Sequence, residues 1–423
     1  MSIGTFALTY TITSPSSSRL KYSISYLFTI NMERFRERVD ETSVEVSVDR
    51  TSVLTPRIEN GITVSMIREF VKAFFDRDIE KLKKFLGVES DVDTISTIFK
   101  KGDVSIKAYR VKSIPKWRLL VFDYNTPSKW NIGQRICRGL WVSCYGDDWD
   151  IKPSFTKFFN LDERTGWTSK ELSSYEVKEA TVKHDGTLTI VFYDNFVDRW
   201  IYCTRRCPHF YNPSVRKVSS SIDSVINPQI DRALKIEPKL NSIPNEFKSH
   251  VLLFETVDPY FRLGDMAIGS AHARYFERES KVFFITCRDE RLNLLTYSES
   301  SWVSEALGIP QVEFVDPSRA FKMRANANIE GWVLLMSRGS EIKFVKVKSE
   351  RYIGMLMGKY GIARALIQNT IDDILPHLPP EKKRLVESIR PLVNRLKELV
   401  PLYAKYLIKN NARKYAGTRK FTH

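Results

Sequence analysis

The residues best placed to do chemistry together are Lys183-His184-Asp185-Gly186-Thr187. A lysine amine that sheds its proton is a nucleophile, and a glycine nearby lets a bound group approach the backbone where a side chain would intrude. An extended run, VKEATV, precedes the segment and another, LTIVFY, comes after it, so Lys183 is expected at a strand end. Alone, K-x-D-G is a weak signal; an Asp-Gly turn closing a hairpin accounts for it as well. Further groups lie downstream in order: Thr204-Arg205, Phe254-Glu255-Thr256-Val257, Glu330-Gly331 and Lys346-Val347-Lys348. Arg138-Gly139 and Lys157-Phe158-Phe159-Asn160 lie upstream. Most fall on or beside expected strands, and each supplies a charge useful around a nucleoside triphosphate.

Short strand-like runs must position these groups. They are 117–124, 138–145, 187–194, 200–204, 250–257, 281–288, 330–336 and 342–348, rich in β-branched and aromatic residues and separated by turns. The expected fold class is α+β, with a mostly antiparallel-sheet domain over 111–350 and helical or looped segments at 220–250 and 316–329. Before it, 33–110 reads as a small N-terminal extension, where Ile67, Phe70, Val71, Phe74, Phe75, Leu82 and Phe85 recur at helical spacing. After it, Leu385, Ile389, Leu392, Leu396, Leu399, Tyr403 and Leu407 step by three and four. That spacing predicts an all-helical C-terminal domain over 351–423, with Pro391 and Pro401 starting or kinking helices. Residues 1–32 contain no Asp or Glu. They read as a loose tail, as a misassigned start ahead of Met32, or as a transit peptide.

The order R-G, K-F-F-N, K-x-D-G, F-E-x-V, E-G, K-x-K resembles that of the covalent nucleotidyltransferases, and within them the phage-type RNA ligase 1 family. FNLDE (159–163), FETVDPYFRL (254–263), IEGWVLLM (329–336) and VKVKSERY (345–352) extend the similarity over roughly 115–355. The resemblance implies an ATP-dependent RNA ligase that joins 5′-phosphate and 3′-hydroxyl RNA ends through lysyl-AMP and RNA-adenylate, in RNA repair, with tRNA one candidate substrate. It implies ATP and Mg²⁺, with Mn²⁺ as an alternative. Lys183 would carry the AMP, while Asp185 and Gly186 shape the turn. Arg205 and Glu255 would hold the ribose hydroxyls, and Glu330 the metal. Lys346 and Lys348 would grip the α-phosphate, and Arg138 and Lys157 the ATP phosphates or the RNA 5′-phosphate. Phe159 would pack near the adenine, with Phe284 as the alternative. The family's basic residue usually precedes a Gly; here Arg205 is followed by Arg206, which is the alternative ligand.

A free lysine has a pKa of about 10.4, so only about one in 2,500 is neutral at pH 7. Neighbouring cations disfavour the ammonium, and Lys346, Lys348, Arg205 and a bound metal are the expected sources of that field.

Composition agrees with a nucleic-acid partner. Lys and Arg number 66 against 50 Asp and Glu, a formal net charge of +16, which favours phosphate-bearing partners. Residues 350–423 hold 15 Lys and Arg against 6 Asp and Glu. No run of 18 apolar residues is present, which argues against a membrane-spanning helix, and the five cysteines fit a reducing interior, cytoplasmic or host intracellular. No obligate protein partner is evident. Cys203-x3-Cys207-x-His209 lacks the second ligand pair of a zinc site. The competing functions are a DNA ligase, a capping-type nucleotidyltransferase, and a catalytically silent RNA-end-binding protein. The first two families append an OB-fold β-barrel after the K-x-K strand, whereas 351–423 reads as helix.

Overall fold

The computed structural model describes residues 57–356, apart from 90, 112, 126–129, 163–166, 210–226, 261, 264, 265, 268–278 and 326. Beyond 356 it describes 362, 365, 366, 371, 375, 378–395 and 399. Expectations for residues 1–32 and for Leu396, Pro401, Tyr403 and Leu407 lie outside the described residues.

Three larger sheets carry the described residues, beside a two-stranded ribbon of Arg262–Leu263 and Met266–Ala267. Sheet I holds Glu176–Lys183, Gly331–Arg338 and Glu341–Lys348 as antiparallel neighbours, with short parallel additions from Ile58–Glu59 and Phe159–Asn160. Sheet II holds, in spatial order, Pro208–His209, Arg199–Cys203, Thr187–Asp194, Val251–Val257 and Lys281–Arg288, all antiparallel. Sheet III is the meander Val104–Tyr109, Trp117–Tyr124, Arg138–Tyr145 and Asp148–Lys152. The observed α+β class matches the expected one. Expected strand positions agree within a residue or two at each end, because aromatic and β-branched runs fit a pleated surface buried on both sides.

One hydrophobic cluster joins residues of all three sheets, among them Phe122, Trp141, Phe192, Leu253, Trp332 and Phe344. A second cluster, built on Phe254 and Phe284, covers the other face of sheet II with the helices Pro228–Ile236 and Ser301–Leu307.

The aromatic stripe near the N-terminus forms two helices, Val64–Phe75 and Ile79–Leu86, each with a side-chain N-cap, Thr63 and Asp78. Ile67, Phe70, Val71 and Leu82 bury themselves in the core shared by the three sheets. The expected boundary at 110/111 therefore falls in the link between two paired strands, Val104–Tyr109 and Trp117–Tyr124. Residues 57–109 are part of the same folded body as the sheets downstream of them.

The K-x-D-G segment corrects one reading. Glu176–Lys183 pairs in sheet I, while Thr187–Asp194 pairs in sheet II. Asp185-Gly186 closes no hairpin; the segment is the crossing between two sheets.

Past the K-x-K strand comes the helix Glu350–Leu356, and residues 380–395 are helical, with Pro391 inside that stretch rather than at its start. Val386, Ile389 and Val393 pack toward Tyr352 in a third, small cluster. No described helix is long and apolar enough to cross a membrane.

Candidate active site

Sheet register assembles the centre of the site. Gly331 lies opposite Lys183 on one neighbouring strand and opposite Lys348 on the other. Cross-strand partners point to the same face, so the two amines flank the glycine. A Cβ at 331 would lie 2.2 Å from the Val347 carbonyl oxygen and 2.8 Å from the Lys348 Cα, so this position requires glycine. Glu330, just before it and 4% exposed, bridges the two amines. The Lys183 Nζ donates to its Oε2 at 2.6 Å, and the Lys348 Nζ lies 3.3 Å from its Oε1.

The crossing segment supplies the rest. A Cβ on Gly186 would meet the Thr256 carbonyl oxygen at 2.5 Å and the Glu255 Oε1 at 2.9 Å. Only a bare backbone lets the 183–187 crossing press against the Glu255 strand. The His184 ring stacks on Phe283 with centroids 4.1 Å apart and planes 8° from parallel. Phe283 is the cross-strand partner of Glu255, so this stack sits on the Glu255 side of the sheet. The Tyr352 hydroxyl donates to the Asp185 Oδ1 at 3.5 Å, and the Lys348 ammonium lies 4.9 Å from the Tyr352 ring centroid. Sequence reasoning passed over His184, Phe283 and Tyr352. Their neighbours carried the motif, and nothing local distinguishes them.

Electrostatics overturn one expectation. Burial opposes the charge on Lys183, but the carboxylates of Glu330, Glu255 and Asp185 and the hydrogen bond to Glu330 outweigh it, holding the ammonium above its ordinary range. Among the chain's own groups, the expected cations are outweighed there. Lys348 is matched by Glu330, and Arg205 by Asp123 at 3.1 Å. The carboxylates respond in kind. Burial, reinforced by Glu330, pushes Glu255 up to about 7 against the pull of Lys183. Burial likewise drives Asp185 well above the carboxylate range, with Glu330 adding to the effect.

The remaining expected residues fall in two groups. Lys346 shares its strand face with Lys348, and its ammonium lies 5.0 Å from the Phe158 ring centroid. Arg138, also over Phe158, is pulled below its ordinary range by burial and by Arg205, and it feels the charge of Glu255. These two border the centre. Arg205 and Arg206 share Asp123, with Arg205 also over the Tyr124 ring. Lys157 is 1% exposed, its ammonium 4.7 Å from the Trp130 ring centroid and 5.0 Å from that of Phe159. Phe159 is enclosed between Trp130 and Trp167. Both sit in an aromatic cage rather than at an open wall. Phe284 pairs with Phe254 in the second cluster, on the opposite face of sheet II from Glu255. A bulge near Leu253/Phe254 sets which of the two adjacent phenylalanines faces the site, and it selects Phe283.

The donor set fits a hard divalent cation. Glu330, Glu255 and Asp185 all act on one ammonium, and burial, reinforced by Glu330, raises the latter two. Mg²⁺ takes oxygen ligands and commonly keeps waters with only one or two carboxylates. Among the described residues no three His, Cys, Asp or Glu side chains are grouped to hold a metal on their own. Cys203 is buried, and His209 accepts the Asn227 backbone N–H.

No protein-family model and no curated protein sequence matches the chain. Among solved structures it is similar to an archaeal ATP-dependent RNA ligase at 14% identity and a TM-score of 0.42, over 76% of this chain and 73% of that one. It is also similar to a chain from Aquifex aeolicus described as an ATP-dependent DNA ligase, at 16% identity and a TM-score of 0.40, over 75% of each. A third is the Naegleria gruberi RNA ligase with PPi, at 17% identity and a TM-score of 0.30, over 44% of this chain and 53% of that one. Likenesses of this order assign no residue a role; the roles rest on the site itself.

Proposed function

We propose that this chain is an ATP-dependent RNA ligase in which Lys183 is the nucleophile. The observation that carries the reading is the Glu330 carboxylate spanning Lys183 and Lys348 across Gly331, with Glu255 and Asp185 beside them. In the first step the Lys183 Nζ bonds to the α-phosphorus of ATP, the bond to pyrophosphate breaks, and Nζ loses a proton. That proton already lies in a hydrogen bond to the Glu330 Oε2. In the second step the AMP passes to an RNA 5′-phosphate. In the third a 3′-hydroxyl displaces AMP and closes the phosphodiester.

Lys346 and Lys348 hold the α-phosphate, and Arg138 faces the remaining phosphates or the RNA end. Glu255 accepts the ribose hydroxyls, as a carboxylate can. Arg205 or Arg206, poised on Asp123, assists it. Glu330 would hold a divalent cation directly or through water, and that cation would neutralise phosphate charge. RNA rather than DNA rests on the motif order.

The test is incubation with α-labelled ATP and a divalent metal, without RNA. The protein should become labelled through an acid-labile, base-stable bond, and Lys183→Ala should abolish the label. Labelling by GTP alone would favour a capping-type enzyme. RNA binding without any adenylate would favour a silent binder.

A further inference from the structure

The segment just before the first helix holds two buried polar residues, Glu59 and Asn60, where sheets I and II meet the loop that leaves sheet III. The Glu59 Oε1 accepts from the Thr156 backbone N–H at 2.7 Å and from its hydroxyl at 2.8 Å. Its Oε2 pairs with Arg288, the last residue of a sheet II strand and 1% exposed. Arg288 also donates to the carbonyls of Pro153 and Ser154, at 3.1 Å and 3.0 Å, and of Leu292. The Asn60 side chain donates to the Thr156 hydroxyl at 2.9 Å and accepts from the Phe344 N–H of sheet I at 2.9 Å. Its carbonyl accepts from the Arg135 guanidinium, which lies over the Phe159 ring.

Everything this knot holds leads to one wall of the site. The Ser154 hydroxyl donates to the Arg138 carbonyl at 2.7 Å, and the Lys157 N–H donates to the Arg135 carbonyl at 2.8 Å. Loop 153–156 thus joins Arg138, through Lys157, to the Phe159–Asn160 strand, which pairs with Val345 and Lys346. A buried ion pair contributes little net stability against an apolar replacement, because desolvation offsets the attraction. What it does fix is geometry.

We propose that Glu59, Asn60 and Thr156 are positioning residues for the phosphate-binding wall, setting where Arg138 and Lys346 stand relative to Lys183. This rests on the ligase reading above, and it makes the segment ahead of the nucleotidyltransferase core a working part of it.

Thr156→Val keeps the side-chain shape and removes the hydroxyl that Glu59 and Asn60 share; Thr156→Ser keeps the hydroxyl. The rate of label transfer from α-labelled ATP is measured against ATP concentration in the full chain, together with the fraction of protein labelled at completion and the melting temperature. Thr156→Val removes two hydrogen bonds, one to Glu59 and one from Asn60, and half-saturating ATP should rise about fivefold or more, with the labelled fraction kept. Thr156→Ser should restore the parent value, and Asn60→Ala should track Thr156→Val. If half-saturating ATP stays put in both variants while labelled fraction and melting temperature fall together, the knot only holds the fold and the proposal is overturned. If the parent protein itself takes no label, the ligase reading fails, and this proposal falls with it.

Discussion

At the scale of residues, the groups around Lys183 favour its charged form. Three carboxylates face Lys183, and they, rather than the cations of the K-x-K strand, decide its charge. Glu255 records the same imbalance from the other side. Its pKa is raised to about 7 from an ordinary 4.5, so the folded chain binds more protons than the unfolded chain between those values. The stability Glu255 contributes is therefore present at low pH and is lost as pH rises through about 7. Glu255→Gln removes the charge, so its melting temperature should exceed the parent's at pH 8 and do so by less at pH 5. A gap that is equal at both pH values would contradict the raised pKa. The parity of Phe283 and Phe284 shows how far residue-level reading reaches. Two adjacent phenylalanines look alike in sequence, and only a bulge in the pairing with Val251–Val257 decides which one faces Glu255.

At the scale of elements, the strands were legible and their partners were not. Runs such as 117–124 and 281–288 announce themselves by composition, because a strand buried on both faces needs little else. The 183–187 crossing looks like a hairpin because a turn has the same local sequence whether its strands pair with each other or join different sheets. Glu59 and Arg288 were invisible for the same reason; they are 229 positions apart, and neither means anything without the other. Gly331 was legible only as half of an E-G pair. Its reason is the close approach of Val347 and Lys348. Gly331→Ala forces that strand pair apart, which should cost about 1–3 kcal/mol of stability as overpacking does. It should also abolish labelling, since Glu330 would no longer span both amines. Full labelling by a folded Gly331→Ala variant would sink this account of the site.

At the scale of the whole molecule, charge would separate the two proposed substrates. On the proposed function, ATP would be held by a few buried groups, whereas RNA would meet a chain of net charge +16 and displace condensed counterions as it binds. Raising salt from about 50 to about 200 mM should depress sealing of RNA ends by about tenfold or more, and self-labelling far less. Equal losses would place RNA affinity elsewhere than in surface charge. Sequence reading reached the charge but not the division of the chain: the expected extension at 33–110 turned out, from residue 57 onward, to share its core with the sheets it precedes. The crossing between sheets I and II has a mechanical consequence. His184, Asp185 and Gly186 are the whole tether between the strand that ends in the amine and the strand that lies beside Glu255. A tether that short transmits displacement instead of absorbing it, so sliding one sheet against the other would drag the Lys183 amine along. Slack spliced into it, even a pair of extra glycines, would leave both sheets intact and the amine out of step with Glu255.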